Sequence, residues 1–521
     1  MRRHLRVALA AAALVTPLLI VSGAGPASAA GPSLKVDAIG RNGAAAAHSQ
    51  VEVVDAGTGR RAAVGAGGRT LSLPAGKYVV LALIGDDRDQ DNTLGAAVVT
   101  VSGATTTTID ARKGKPLDVS LDTADAGGQR LSDVICAGRE SLSDSGLGPD
   151  SPQQLYVIPN TSTLLRFGYV SVWDSGSPVN GFLATGGTVG LPARPGGAFH
   201  SAAMATVHVQ SGEGPNAGNA RDLNFVPSGS PCQAQLQTNV RANVEGAYSY
   251  TAGVVAGKWD VQSMDYSDAI GTLGYYDGVH DYAAGKSYQQ TFYRPAWGPA
   301  HTTPYIETGE LRFDTDHMFD DPTVTGGEHS AKVSSTLSRD GAVIARQTGA
   351  GTTYPPPMFE ARVANPGWYN LDAYAVRYNP GVTFPAGMLS PSSRVVYHFW
   401  ADPRVQQSAP GFLTRFLTTG LDERGHARTR STTPVGLFMD RTDSTPGLGI
   451  PFHGDTVKTV QAWYSTDNAK TWHGLPVTHT GSTWQTAVPN PASGKVSLSA
   501  KVTDTAGNST QTYVNQAYAV G

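Results

Sequence analysis

After residue 30 the β-forming residues of this chain come in short runs, and glycine, proline or small polar residues stop most of them. Glycine has no Cβ to restrain its backbone and proline has no amide hydrogen, so both end helices before they can grow. The chain holds 61 glycines and 33 prolines, 94 of 521 residues, and what lies between is rich in Val, Thr, Ser and Tyr. Long helices have little room in such a chain; strands joined by turns do. A hydrophobic share of 40% supplies folded cores and excludes wholesale disorder. At roughly 150 residues per domain, three or four domains are expected. The fold class that follows is all-β, a tandem of β-sandwich modules.

The first thirty residues differ from the rest. Arg2, Arg3 and Arg6 precede an apolar stretch from Val7 to Val21, and Ala27-Ser28-Ala29 offers a small-residue cleavage site. Residues 1–29 read as a secretory signal peptide. The Arg2-Arg3 pair raises twin-arginine export, although the hydrophobic motif expected after it is poor. No later stretch reaches the ~18 apolar residues of a membrane span, so a secreted, extracellular product with no membrane span is expected. Loss of the leader takes Lys plus Arg from 39 to 36 against 42 acidic residues, and the net charge from −3 to −6. A mildly acidic surface argues against nucleic acid as partner.

Cys136 and Cys232 are the two cysteines. In an oxidising compartment they are expected to form a disulfide. Closing so long a loop stabilises by about 4–5 kcal/mol in the chain-entropy account.

The chain divides after its leader into modules at 30–121, 122–300, 301–405 and 406–521. In the first, Gln50 to Asp55 is a strand and Lys77 to Ile84 is apolar on both faces, as a strand between two sheets would be. Leu117, Val119 and Leu121 alternate with polar residues. The second module carries Leu155 to Ile158, Leu164 to Trp173 and Ala203 to Val209, and ends in a crowd of aromatics. In the third, Ala331 to Arg339 leads into the turn Asp340-Gly341, and Pro355-Pro356-Pro357 makes a stiff loop before Trp368 to Tyr378. In the fourth, Val496, Leu498, Ala500 and Val502 alternate with Ser497, Ser499, Lys501 and Thr503, which predicts one dry and one wet face. The turn Asp504 to Asn508 and a strand from Thr510 close this hairpin as an immunoglobulin-like sandwich does.

Several of these residues carry resemblances. The turn Asp55-Ala56-Gly57-Thr58-Gly59 and the segment Leu73-Pro74-Ala75-Gly76-Lys77-Tyr78-Val79-Val80 resemble the prealbumin-like sandwich appended to many secreted hydrolases. Leu337 to Gly341, Tyr369-Asn370-Leu371 with Arg377, Ser465-Thr466-Asp467 with Thr471-Trp472, and Val496 through Asn508 to Tyr518 follow one another in order. Together with Ala284 to Tyr288 and Gly298-Pro299, they resemble the non-catalytic C-terminal half of large secreted bacterial subtilisin-like proteases. Such a protease carries its His in a His-Gly-Thr setting and its Ser in a Gly-Thr-Ser setting, and the chain has neither. The resemblance implies accessory modules without the protease, prealbumin-like at the N-terminus and Ig-like at the C-terminus. Ser465 to Trp472 also resembles the Asp-box hairpin of sialidase propellers, with Ala469 where that box has glycine. In that family the box is structural.

No catalytic centre stands out. Gly-x-Ser-x-Gly and His-Glu-x-x-His are both absent. Asp314, Asp316, Asp320 and Asp321, with His317, Glu328 and His329, are the densest potential ligands, calcium-like or else a solvated acidic loop. Asp87, Asp89 and Asp91 space like the start of a calcium loop, with Asn92 where its glycine would stand. No other cofactor is indicated. Tyr266, Tyr275, Tyr276, Tyr282, Tyr288 and Trp297 could stack on sugar rings, with Asp265, Asp277 and Asp281 among them, or could pack as sandwich core and rim. The expected function is therefore binding of an extracellular protein or polysaccharide. A hydrolase site within 122–300 and a structural, envelope-associated role are the alternatives.

Overall fold

Strands and turns account for the ordered backbone, and the 3-10 turns Ala111–Lys113, Ser201–Ala203 and Asp316–Met318 punctuate them; no α-helix occurs among the described residues. The computed structural model describes residues 31–85, 91–123, 127–147, 154–175, 179–212, 220–228, 232, 236, 238–244, 247–267, 271–277, 279–300, 302–323, 325–328, 332–350, 358–377, 388–442 and 456–521. For 146–147, 220–221, 241–244, 265–267, 271–277, 316, 325–328 and 350 the description is of the backbone alone. The expected signal peptide, Asp87, Asp89, His329 and Pro355 to Pro357 lie outside the described residues.

The N-terminal sandwich has a three-stranded sheet, Thr70–Ser72, Ser33–Ile39 and Ala104–Asp110. Against it lies a six-stranded sheet ordered Arg61–Ala66, Gln50–Asp55, Gly76–Ile84, Asn92–Val101, Leu155–Val157 and Lys115–Pro116. The run from Lys77 to Ile84 is apolar on both faces because this second sheet is a middle layer. Tyr78, Val80, Ala82 and Ile84 join Leu34, Val36 and Val53 in one core. Val79 and Leu81 join Leu131, Ile135, Phe167 and Trp173 in another.

Those last four residues belong to a seven-stranded sheet ordered Glu140–Leu147, Gln129–Ala137, Arg166–Asp174, Gly181–Val189, Tyr248–Val254, Ala205–Ser211 and Ser287–Phe292. Strands cross the 121/122 boundary in both directions. Leu155–Val157 pairs in parallel with residues 92–94 of the first sandwich, and Asp118–Leu121 pairs in parallel with Gly196–Phe199. The Asp55 turn also touches the next layer. Its carboxylate accepts from the N–H groups of Gly57 and Thr58 at 3.0 and 2.7 Å, and Gly59 O accepts from Arg139 N at 2.9 Å. A Cβ on Gly138 would lie 2.4 Å from Gly59 Cα, so the contact requires glycine there.

The far face of the seven-stranded sheet packs Val134, Val172, Leu183 and Val207 on Leu223, Phe225, Trp259 and Val261 of a sheet built on Ala220–Ser228 and Gly257–Ser267. The Cys136–Cys232 disulfide, Cα atoms 5.8 Å apart, crosses this layer, and both cysteines are buried.

The C-terminal half is organised by a nine-stranded sheet. Its order is Ala342–Ala350, Lys332–Arg339, Gly367–Val376, Ser392–Ala401, Ser509–Val520, Gly494–Asp504, Val457–Ser465 and His473–Leu475, with His426–Ala427 beside Ser509–Val520. It runs through the 405/406 boundary, since Ser392–Ala401 pairs with Ser509–Val520 from Ser393 opposite Val514 to His398 opposite Ser509. Two smaller sheets cover one face. Ile306, Leu311, Phe313 and Phe359 pack on Leu337, Leu371, Val395 and Tyr397. Phe416, Val435, Leu437 and Val488 pack on Ala462, Val496, Leu498 and Val514.

The hairpin Gly494–Asp504 and Ser509–Val520 forms as expected, but its expected wet face does not stay wet. Ser497 and Ser499 are each 1% exposed. Ser497 Oγ donates to Asn515 Oδ1 at 2.9 Å and accepts from Gln516 N, and Gln511 Nε2 donates to Ser499 Oγ at 3.3 Å. These bonds replace the water that a serine would otherwise need.

Candidate functional site

Successive residues of a strand point to opposite faces, so the nine-stranded sheet that buries Leu371, Ala373 and Val395 must turn Asp372, Tyr374 and Arg394 outward. Strand register then lines the outward residues into cross-strand rows. Ser334, Tyr374, Arg394, Tyr513 and Ser499 form one row; Thr336, Asp372, Val396, Gln511 and Lys501 form the next. The neighbouring row sets Asn370 beside His398.

A groove of about 510 Å³ lies on this face, lined by Ser334, Thr336, Asp372, Tyr374, Ser392, Ser393, Arg394, Ala469, Trp472, Tyr513 and Asn515. Asp372 and Arg394 form a two-pronged pair in it, Nε to Oδ1 at 2.7 Å and Nη2 to Oδ2 at 2.5 Å. This bonding holds the Arg394 guanidinium above its ordinary pKa. The guanidinium also lies 5.5 Å from the Tyr513 ring centre. Burial pushes the Tyr513 phenol up, against the opposing pull of Arg394. Trp472 meets Tyr513 edge to face at 5.8 Å, and Tyr374 is 43% exposed on the opposite side. Further along the face, Trp368 stacks on His398 at 4.8 Å and Trp400 is 44% exposed. Burial, with Lys501 nearby, lowers the His398 pKa.

Trp472 is placed by the Asp-box-like turn. Asp467 Oδ1 accepts from Lys470 N and Thr471 N at 3.1 and 2.9 Å, and Oδ2 accepts from Thr471 Oγ at 2.6 Å. Ser465 Oγ donates to Asp467 at 2.7 Å, and together these bonds hold that carboxylate well below the usual range. The turn forms without its glycine: Asn468 and Ala469 both take left-handed backbone, φ 62° and 61°. Alanine is strained there. Ala469→Gly is therefore expected to stabilise the C-terminal sandwich by about 0.5–1 kcal/mol. A urea midpoint that does not rise would contradict it.

The residues singled out from the sequence lie elsewhere. Tyr282 and Trp297 are 1% and 3% exposed within a core. The Tyr282 hydroxyl accepts from Gln290 at 3.1 Å, and the Trp297 ring lies under the Arg377 guanidinium at 4.7 Å. Neither ring offers a face to solvent. Tyr288 is half-buried, edge to face with Tyr282 at 4.9 Å, its hydroxyl accepting from Ala283 N. The side chains of Tyr266, Tyr275, Tyr276, Asp265 and Asp277 lie outside the described residues, and Asp281 is exposed.

Of the calcium-like aspartates, the three whose side chains are described, Asp314, Asp320 and Asp321, do not gather at one point. Asp320 and Asp321 are buried: Asp320 faces His317 Nδ1 at 3.1 Å, and Asp321 accepts from Arg294 N, Thr323 N and Thr323 Oγ. Asp314 sits at the end of strand Glu310–Asp314, and the Asp316 side chain is outside the described residues. Asp91 accepts from Gln154 N at 3.2 Å. Among the described residues no three of His, Cys, Asp and Glu gather as metal ligands.

The groove was absent from the sequence reading. Its local signals were the Asp-box-like turn that carries Trp472 and alternation: Trp368, Asn370, Asp372 and Tyr374 on one strand and Arg394, His398 and Trp400 on the next fall on the polar phase of apolar runs.

No known family matches the sequence, and no curated protein matches it. Solved structures similar to the chain include the chicken CNTN1 FN1-FN3 domains, at 9% identity over 68% of this chain and 91% of that one, with a TM-score of 0.14. A tetra-tandem repeat in the extending region of a large adhesion protein is similar at 12% identity, covering 77% and 98%, also with a TM-score of 0.14. The β-sandwich reading therefore stands on the strands described above. No helix among the described residues is long and apolar enough to cross a membrane.

Proposed function

We propose that this chain is a secreted, non-catalytic binding protein and that the groove on the open face of the nine-stranded sheet receives its ligand, an uncharged extracellular polysaccharide. One observation carries the reading: the groove combines ring faces and hydroxyls with a carboxylate and a guanidinium that neutralise each other. Sugar rings present apolar faces that stack on aromatics and hydroxyls that bond to such polar pairs. With both oxygens of Asp372 bonded to Arg394, that carboxylate is poorly placed for proton transfer. The leader-like N-terminus supports export. The resemblance to the accessory half of secreted subtilisin-like proteases supports a helper role beside a hydrolase.

Retention on a panel of insoluble polysaccharides tests this. The whole protein is expected to bind at least one of them, and Trp472→Ala to weaken that binding at least tenfold, about 1.4 kcal/mol. Retention by none, or an unaffected Trp472→Ala protein, would remove the proposal. Loss on Tyr275→Ala with Tyr276→Ala instead would move the ligand to the second module. Turnover of a glycoside or peptide abolished by one Asp→Ala change would favour the hydrolase alternative.

A further inference from the structure

Asp133 and Asp144 face each other across adjacent antiparallel strands, Gln129–Ala137 and Glu140–Leu147. They share the strand face that carries Leu131, Ile135 and Leu142 against the first sandwich. Asp133 is 1% exposed, and apart from its own backbone N–H neither of its carboxylate oxygens has a hydrogen-bond partner; Asp144 Oδ2 has none. Asp144 Oδ1 accepts from Ser145 N at 2.8 Å, and the side chain of Asn92, from the first sandwich, also bonds this carboxylate. Tyr169, opposite Asp133 on its other neighbour, brings no positive charge, and among the described residues no lysine or arginine acts on either aspartate.

Asp133, with no partner from another residue, and Asp144, with one oxygen left unpaired, repel each other in this apolar layer and forgo hydration. Evolution of a simple core would place apolar residues here. The groups present are instead hard oxygen donors from three strands and two modules. The amide of Asn92 can turn its oxygen toward the pair by a flip of its side chain.

We propose that Asp133 and Asp144, with Asn92 across the module boundary, hold a calcium ion that clamps the first two sandwiches together. Oδ1 and Oδ2 of Asp133 and Oδ2 of Asp144 supply the anionic ligands, Asn92 a neutral one, and water or backbone carbonyls complete the shell. With two carboxylates, the affinity belongs to the weak class of extracellular modules, Kd about 10⁻⁴–10⁻³ M. The site is independent of the groove.

The test is calcium titration of the full-length protein after chelator treatment, followed by equilibrium dialysis and by thermal unfolding. One bound calcium is expected, with the first unfolding midpoint rising about 3–5 °C at tenfold excess over Kd. Asp133→Asn and Asp144→Asn keep the volume and remove the charge; each should abolish both signals while the circular dichroism spectrum stays that of the parent. Asn92→Ala, which perturbs only the rim, should weaken binding several-fold and guards against misfolding of the core variants. Wild-type protein that binds no calcium, or an Asp133→Asn protein that binds it as the parent does, overturns the proposal.

Discussion

Replacing both Cys136 and Cys232 by alanine is expected to lower the stability of the disulfide-bearing layers by about 4 kcal/mol. The bond links residues separated by 96 positions, and confining an unfolded loop of that length removes about 4.7 kcal/mol of its entropy in the chain model. The seven-stranded sheet that carries Cys136 and the sheet packed on it already share a core containing Val134, Val172, Phe225 and Trp259, so the folded state has a well-packed alternative to the cross-link. Alanine at two buried sites adds a small cavity cost to the lost entropy. Urea unfolding of the oxidised parent, the reduced parent and the double variant measures this. Both thiol-free and reduced proteins should unfold at clearly lower urea, and coincident curves would show that the bond contributes nothing.

The second large effect is a pH dependence centred on Asp320. This side chain is fully buried, and its backbone is tied to Gly298 by bonds of 2.9 and 3.2 Å in the segment that joins the second module to the third. Burial lifts its pKa from the ordinary 3.8 to about 7; His317 and Arg415 pull it down, and the neighbouring Asp321 pushes it further up. Below pH ~4 the folded and unfolded chains both hold the proton, so no penalty exists. Between about 4 and 7 the unfolded chain releases it and the folded chain keeps it, so stability falls as pH rises, by about 1.4 kcal/mol per unit. Above about 7 the loss levels off at roughly 4 kcal/mol. Asp320→Asn mimics the protonated acid. Its stability relative to the parent should grow from near zero at pH 4 to a few kcal/mol at pH 8, read by urea unfolding across that range. Taking the difference removes the opposite trend of Asp55, Asp110 and Asp402, whose hydrogen bonds lower their pKa and favour high pH. A difference that is flat with pH would mean that Asp320 is not held protonated.

Local pattern was a good guide wherever the physics is local. The stretch from Lys77 to Ile84 announced its two buried faces because every residue along it is apolar or aromatic after the first. The Asp55 and Asp467 turns announced themselves because an aspartate that caps its own turn needs only the next few residues. Ser497 and Ser499 were misread for the opposite reason. Their alternation with apolar neighbours is real, but Asn515, Gln516 and Gln511 cover them, and nothing near position 497 in the sequence encodes that cover. For the aromatic crowd near residue 282 the sequence left core packing and ligand stacking both open, because composition cannot tell a ring wedged beneath Arg377 from one open to a ligand.

By itself, then, the sequence determined the all-β class, the capped turns and the phase of the few strands whose alternation it showed, because these depend on backbone restraint and on side chains a few positions apart; the cross-link followed from there being two cysteines. Tertiary structure alone decided that Leu155–Val157 would join the first sandwich, that Ser392–Ala401 would pair with Ser509–Val520, and that Asp372, Arg394, Trp472 and Tyr513 would meet in one groove. Strand pairing between distant segments is chosen by which apolar faces can be buried together over the whole chain, and that competition has no local signature.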